Sequence, residues 1–240
     1  GGALELYAEN PSSPVTPLVG GLNAVAVGSG SNGGGANSVA LGVGSAAGAG
    51  AFCAINGGGS TAYGAVGARS IAMGEAARAQ GQDSVAIGEI SIASGVSSFA
   101  IGKQATSTGA SSTAIGKSGA SGSQSLAACI SNNTSSYGAQ NNNSVAFGYL
   151  SKTLQGHFAA GSSANAQGSS SIAIGNGVTA SGSNSLAMGQ SSTASATNSI
   201  AIGDTATSST ANQIALGGAT DTVKISTLHE TVGTITTGTI

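Results

Sequence analysis

Charged side chains make up only 6% of this 240-residue chain, against about 25% in ordinary soluble domains. Aromatic residues are 3%, tryptophan is absent, and there are three prolines and two cysteines. Each scarcity excludes something. Six Lys and Arg against eight Asp and Glu leave a net charge of −2. That is no electrostatic footprint for a phosphate backbone, so nucleic acid is not an expected partner. Large aromatics supply much of the buried area in a thick globular core, and here they are missing. No apolar run reaches the roughly 18 residues of a membrane span, so this segment is not expected to insert into a bilayer. Glycine is abundant at 41 residues, but it does not recur every third position as a collagen helix demands. The 40% of hydrophobic residues are mostly alanine with valine, isoleucine and leucine, which suits thin, closely spaced layers. The chain opens Gly1-Gly2-Ala3, without initiator Met or signal peptide, and is expected to be a processed or excised part of something longer.

What the chain does contain is a repeat. The pattern small, apolar, Ala, apolar, Gly reads AVAVG at 24–28, SVALG at 38–42, SIAMG at 70–74, SVAIG at 84–88, SFAIG at 98–102 and STAIG at 112–116. It continues as SVAFG at 144–148, HFAAG at 157–161, SIAIG at 171–175, SLAMG at 185–189, SIAIG at 199–203 and QIALG at 213–217. The structural positions of the repeat are thus Ala26 and Gly28, Ala40 and Gly42, Ala72 and Gly74, Ala86 and Gly88, Ala100 and Gly102, and Ala114 and Gly116. The second series is Ala146 and Gly148, Ala173 and Gly175, Ala187 and Gly189, Ala201 and Gly203, and Ala215 and Gly217. Most neighbouring copies lie 14 residues apart, all twelve carry the alanine, and nine begin with serine. Composition bias alone does not produce such phasing.

A second glycine often falls seven residues after the first, as at Gly35, Gly81, Gly95, Gly109, Gly168 and Gly182. Each unit therefore reads as two short apolar stretches, each closed by a residue that tolerates the positive φ of a tight corner. Within SVAIG the period is two, the strand period, with Ser, Ala and Gly on one side and the larger apolar residues on the other. Fourteen residues with two corners make one coil of an all-β solenoid whose coils stack as parallel strands. Residues 23–217 then give about 14 coils and a rod of roughly 65 Å. Neither strand face is polar, and so small a coil encloses only one of them, which leaves open which face lines the interior. The other must meet a partner chain, and cyclic symmetry would let identical chains cover one another.

The unit S-V-A-I-G-x-x-A-x-A-x-G resembles the head repeat of YadA-type trimeric autotransporter adhesins, over about residues 23–217. The resemblance implies a left-handed parallel β-roll, a homotrimer, and binding to a host-cell surface receptor or glycan in place of catalysis, with no cofactor. Such heads usually run into a neck resembling D-A-V-N-V-A-Q-L and a coiled-coil stalk. Here NQIALGGATDTVKISTLHETVGTITTGTI follows at 212–240, strand-prone and without heptads. The same repeats occur in phage tail fibres and other virion appendages, and this ending resembles those more. The expectation is therefore an extracellular, non-enzymatic trimeric fibre on a virion surface, with the head of a bacterial cell-surface adhesin as the alternative. Serine and threonine columns admit an ice-binding solenoid as a distant third. Residues 1–22, which hold all three prolines, read as an extended connector. Residues 23–217 form the repeat domain, and 218–240 a Thr/Ile-rich β segment leading to a further part of the fibre.

The repeat breaks twice, with 32 residues from Gly42 to Gly74 and again from Gly116 to Gly148. Each interval is two coils and four extra residues. Irregular loops are expected at about 43–69 and 117–143, either as plain corner bulges or as binding loops. They hold Cys53 and Cys129, about five coils and some 24 Å apart, too far for an intrachain disulfide. A bond between the chains of a trimer would leave one thiol unpaired, so buried free thiols are expected. Glu75, Glu89, Lys103 and Lys117 each follow a repeat glycine and should form one solvated column, with Glu89 beside Lys103. GSGSNG at 28–33 matches a dinucleotide fingerprint without the strand and helix it requires, and IGKS at 115–118 lacks the first glycine of a P-loop. His157 and His229 have no metal-ligand spacing, and His157 stands where the repeat has serine. The sequons in Asn132-Asn133-Thr134-Ser135 matter only on a eukaryotic secretory route, which is not expected. Catalytic and metal-binding residues are predicted to be none.

Overall fold

A computed structural model describes residues 15–55, 63–131, 136–154 and 157–223. Over them the chain winds as a parallel β-solenoid. Each motif supplies a three-residue strand, such as Val85–Ile87 or Phe99–Ile101, and each second half-unit a two-residue strand, such as Ile92–Ala93. Long strands stack on long strands and short on short, giving two 14-stranded parallel sheets. The ladder runs from Leu18–Val19 to Ile214–Leu216, about 60 Å at ordinary strand spacing. Its register follows the repeat: Val85 pairs with Phe99, Ala86 with Ala100 and Ile87 with Ile101.

Which face turns inward is settled by size. Ala72, Ala86, Ala100 and Ala114 are fully buried between the sheets, while Phe99 and Ile101 on either side of Ala100 are 42% and 40% exposed. The short strands contribute the facing layer of Ala79, Ala93 and Ala120. Two strands joined by corners of four or five residues lie so close that methyl and hydroxymethyl groups fill the space. The serines at the head of these strands are buried too, and some of them brace the corners: Ser70 Oγ donates to the Gly67 carbonyl at 2.6 Å and Ser125 Oγ to that of Gly122 at 2.6 Å.

The two glycine columns serve different purposes. Gly88 has φ +129° and turns the corner after its strand, as expected. Gly95, seven residues on, has an ordinary φ, but a Cβ there would run into the carbonyl of Gly109 one coil away. Coil-to-coil approach, not dihedral freedom, excludes a side chain at Gly81, Gly95 and Gly109. The positive φ near that corner falls two residues later on Asp83, Ser97 and Asn184, and at the other corner even on Ile90. The expectation that both columns serve positive φ is corrected accordingly.

The irregular intervals contain two further copies of the motif. Thirteen residues separate Val39 from its partner Phe52, and nineteen separate Phe52 from Ile71. The same alternation relates Thr113, Leu126 and Val145. One coil is a residue short and the next five long. The strand Phe52–Ala54 keeps the alternation about a buried centre, whereas in Leu126–Ala128 both Ala127 and Ala128 are buried, and Ile55 and Cys129 replace the closing glycine. Residues 56–62 and 132–135, with the sequons, lie outside the described residues. Cys53 stands in the alanine column and is buried, whereas Cys129 is exposed at a corner with φ 59°. Of the two thiols expected to be buried, only Cys53 is. Burial pushes its pKa above the ordinary thiol range, partly offset by backbone groups of Ala65 and Ala46.

Gly95→Ala is expected to destabilise the rod by about 1–3 kcal/mol or more through overpacking, read as a lowered melting temperature. The neighbouring exposed Ser94→Ala should stay within about 0.5 kcal/mol of the wild type. A thiol reagent added to folded protein should label Cys129 quickly and Cys53 only on unfolding. Cys129→Ser should therefore abolish the fast phase and Cys53→Ser leave it.

Candidate functional site: the outward faces and corners

The two outward faces of the coil differ in kind. On the long-strand side Ile71, Met73, Ile87, Phe99, Ile101 and Ile115 stand at least a third exposed, and Phe147, Ile172, Met188, Ile202, Ile214 and Leu216 continue them. Register stacks them in two apolar files along the rod, interrupted by Thr113 in the first and narrowed to alanine at Ala128 and Ala160 in the second. A contiguous apolar strip of this length marks an interaction surface, since monomeric proteins rarely expose one. On the short-strand side most outward positions are small or polar, with Leu18 and Ile92 as large apolar exceptions and Arg78 and Lys152 charged. Asn165, Thr179, Thr193 and Thr207 stack in register. A shallow open recess of about 320 Å³ lies there, lined by Asn32, Gly34, Gly35, Ala46, Ala47, Gly48 and Val66. None of these groups titrates, so the recess offers no acid, base or nucleophile.

The corners carry most of the charge. Lys103 Nζ lies 2.8 Å from Glu89 Oε2, the pairing that their spacing of 14 predicts. Glu75, Glu89, Lys103 and Lys117 occupy successive coils between the two long ones, at the corner whose sequence interval is lengthened in the long coils. At the opposite corner Arg69 donates to both carboxylate oxygens of Asp83, Nε to Oδ1 at 2.6 Å and Nη2 to Oδ2 at 2.8 Å. The Arg69 hydrogen bonds, then one from Gln82, hold the Asp83 carboxyl below its usual range. The depressed value means that the pair stabilises above the ordinary carboxylate pKa, and the contribution fades as pH falls through the lower, folded value. Both side chains are exposed, at 60% and 38%, so the effect is small and salt-sensitive. This pair was missed in the sequence although both residues precede a motif serine by one position. Elsewhere in that column asparagines stack: Asn184 Nδ2 donates to Asn198 Oδ1 at 3.2 Å, and Asn198 Nδ2 to Asn212 Oδ1 at 3.1 Å. Asparagine tolerates the left-handed φ of the corner, and its amide adds a hydrogen-bonded ladder outside the sheets.

At the first long coil the Arg78 guanidinium lies 4.8 Å from the Tyr63 ring centroid. Tyr63 and Tyr137, which precede equivalent short strands, both pack against the alanine core. His157 is exposed; its backbone N–H donates to the Ser171 carbonyl at 3.1 Å and its carbonyl accepts from Val145 at 2.8 Å, so the residue continues the ladder. His229 lies outside the described residues. GSGSNG passes through a corner into the strand Asn32–Gly33, with no helix to receive a phosphate. Ser118 of IGKS donates its hydroxyl to the Ile115 carbonyl at 2.7 Å. Among the described residues no three His, Cys, Asp or Glu side chains are grouped as a metal site.

A family model follows the same repeat. The family model described as the YadA head domain repeat matches residues 20–45, 65–88, 93–118, 158–177, 180–206 and 194–219. No curated protein sequence matches the chain. Among solved structures, the collagen-binding domain of the Yersinia adhesin YadA is similar at 27% identity, over 70% of this chain and 76% of that one, with a TM-score of 0.34. The matched repeats span more than half of the sequence and coincide with the coils, and the chain belongs to the family of YadA head domain repeats.

Proposed function

We propose that this chain is the head of a bacterial trimeric surface adhesin. It would be a non-enzymatic rod, outside the cell, that attaches to a host-cell receptor or glycan. The observation that carries the reading is the apolar strip on the long-strand face, in a chain of this family. Each of its half-exposed side chains gains on the order of 1 kcal/mol when covered, and the strip repeats that gain coil after coil. Three chains with these faces turned to a common axis bury all three strips at once, which is how a closed cyclic assembly covers a repeated surface. The polar short-strand faces and the corners then remain in water, where three copies of each weak contact act together. The virion fibre favoured by the ending NQIALGGATDTVKIS draws no support from the family match, which backs the adhesin head.

Sedimentation at micromolar concentration should find a trimer. Ile87→Asp with Ile101→Asp places two carboxylates per chain in the buried strip, and is expected to yield monomer or aggregate. A soluble, folded wild-type monomer would sink the reading. Bacteria displaying the full-length protein should adhere to a panel of matrix proteins and cell-surface glycans more than non-displaying cells do, and the double variant should lose that gain.

A further inference from the structure

Inside the rod each coil hands a fixed pair of backbone donors to the coil after it. The N–H groups of Gln80 and Gly81 share the carbonyl oxygen of Ala93, at 2.8 and 3.3 Å. Those of Ser94 and Gly95 share that of Ser107, and those of Ser181 and Gly182 that of Ala194, at 2.9 and 3.2 Å. The corresponding donors of the last coil are Ser209 and Thr210, and among the described residues no strand pairs beyond Thr207–Ser208. Both donors instead reach one side-chain oxygen, Gln213 Oε1, each at 3.2 Å. The Ser208 hydroxyl joins them at 3.3 Å.

Position 213 is where nine of the twelve repeats named above have serine, a side chain too short for this reach. Glutamine there is exposed, outside the one-methyl interior. The other corner of the last coil is closed in a related way. In inner coils the carbonyl of Glu89 accepts from Gln104, and that of Gln190 from Thr205, each at 2.8 Å from the following coil. At the end the carbonyl of Gly218 accepts from Asp221 N–H at 3.2 Å, while Asp221 Oδ2 accepts from Gly218 N–H at 2.7 Å.

We propose that Gln213, seconded by Asp221, is a ladder-terminating cap. Its side-chain carbonyl takes the place that the following coil's backbone carbonyl fills in the inner coils, and closes this last edge among the described residues to strand addition, including by the edge of a second copy. Unpaired strand edges are templates for addition, and a parallel solenoid has such an edge at each end. The proposal concerns the coil edge alone and is independent of which surface binds a receptor.

Hydrogen exchange on the full chain tests it, followed by mass spectrometry of peptides spanning 207–212. Gln213→Ala should speed exchange of the Ser209 and Thr210 amides tenfold or more, with Ser195 and Ala194 unchanged as evidence that the rod stays folded. Gln213→Glu keeps the acceptor oxygen and should retain slow exchange. Unchanged protection in Gln213→Ala would overturn the cap, because something other than this side chain would then be holding the edge. In electron micrographs Gln213→Ala with Asp221→Ala should form rods of two or more lengths end to end. Single-length rods despite fast exchange would overturn the claim that the cap excludes a second copy.

Discussion

Between the two sheets there is room for a methyl group and little more, and most of the molecule follows from that width. Alanine and serine repeat because they fit, and the repeated glycines lie where one coil touches the next. A core of methyl groups buries little area per residue, so it contributes little hydrophobic free energy for each coil. The continuous backbone ladder supplies the rest of the cohesion, as in other solenoids whose repeats contact only their neighbours. The same width turns the Val, Ile, Phe and Met of the long strands outward, while Ile55, Ile130 and Val178 are buried at the corners. Large apolar residues that the long strands cannot hold inside are left for another chain to cover, so the interior dimension and the proposed assembly share one cause.

Much of this was legible in the sequence, for a physical reason. A strict 14-residue phase with period-two alternation admits few structures, and it gives parallel stacking, register and the Glu89–Lys103 pairing directly. The inward face was not legible, because alternation is symmetrical and says nothing about the gap between sheets. The motif copies at Phe52–Ala54 and Leu126–Ala128 were hidden because Ile55 and Cys129 replace the closing glycine. Cys129 was expected inside because small apolar residues usually are, but its place in the repeat is a corner. The second glycine column was assigned to backbone freedom when its cause is contact between coils, which no single-coil reading can reveal. The Arg69–Asp83 pair was readable in phase, and the residue before the motif serine was the place to look.

Variation is confined by the same geometry. Inward positions admit small residues, the long-strand face must stay apolar if it is covered, and the backbone is committed to the ladder. The corners are freest to differ from coil to coil, and there the sequence departs most from its own average. Seven of the chain's fourteen charged residues lie between Arg69 and Lys117, while none falls between His157 and Gly203. The charged coils are the ones bracketed by the two long coils, so charge and extra length coincide on one stretch of the rod.

That coincidence separates two kinds of surface on one fold. The stretch from Phe158 to Leu216 keeps an unbroken 14-residue register, and its short-strand face repeats Asn, Thr, Thr, Thr. Any contact made there is repeated along the axis with the strand spacing and suits a partner that is itself periodic. The stretch from Cys53 to Cys129 breaks the register at both ends and carries an ordered series of acids and then bases. Along such a series position is distinguishable, because no two coils present the same corner. Regular coils multiply one weak contact, whereas irregular coils can specify a single place along the rod, and both fit one chain because the interior that carries the fold is the same in each.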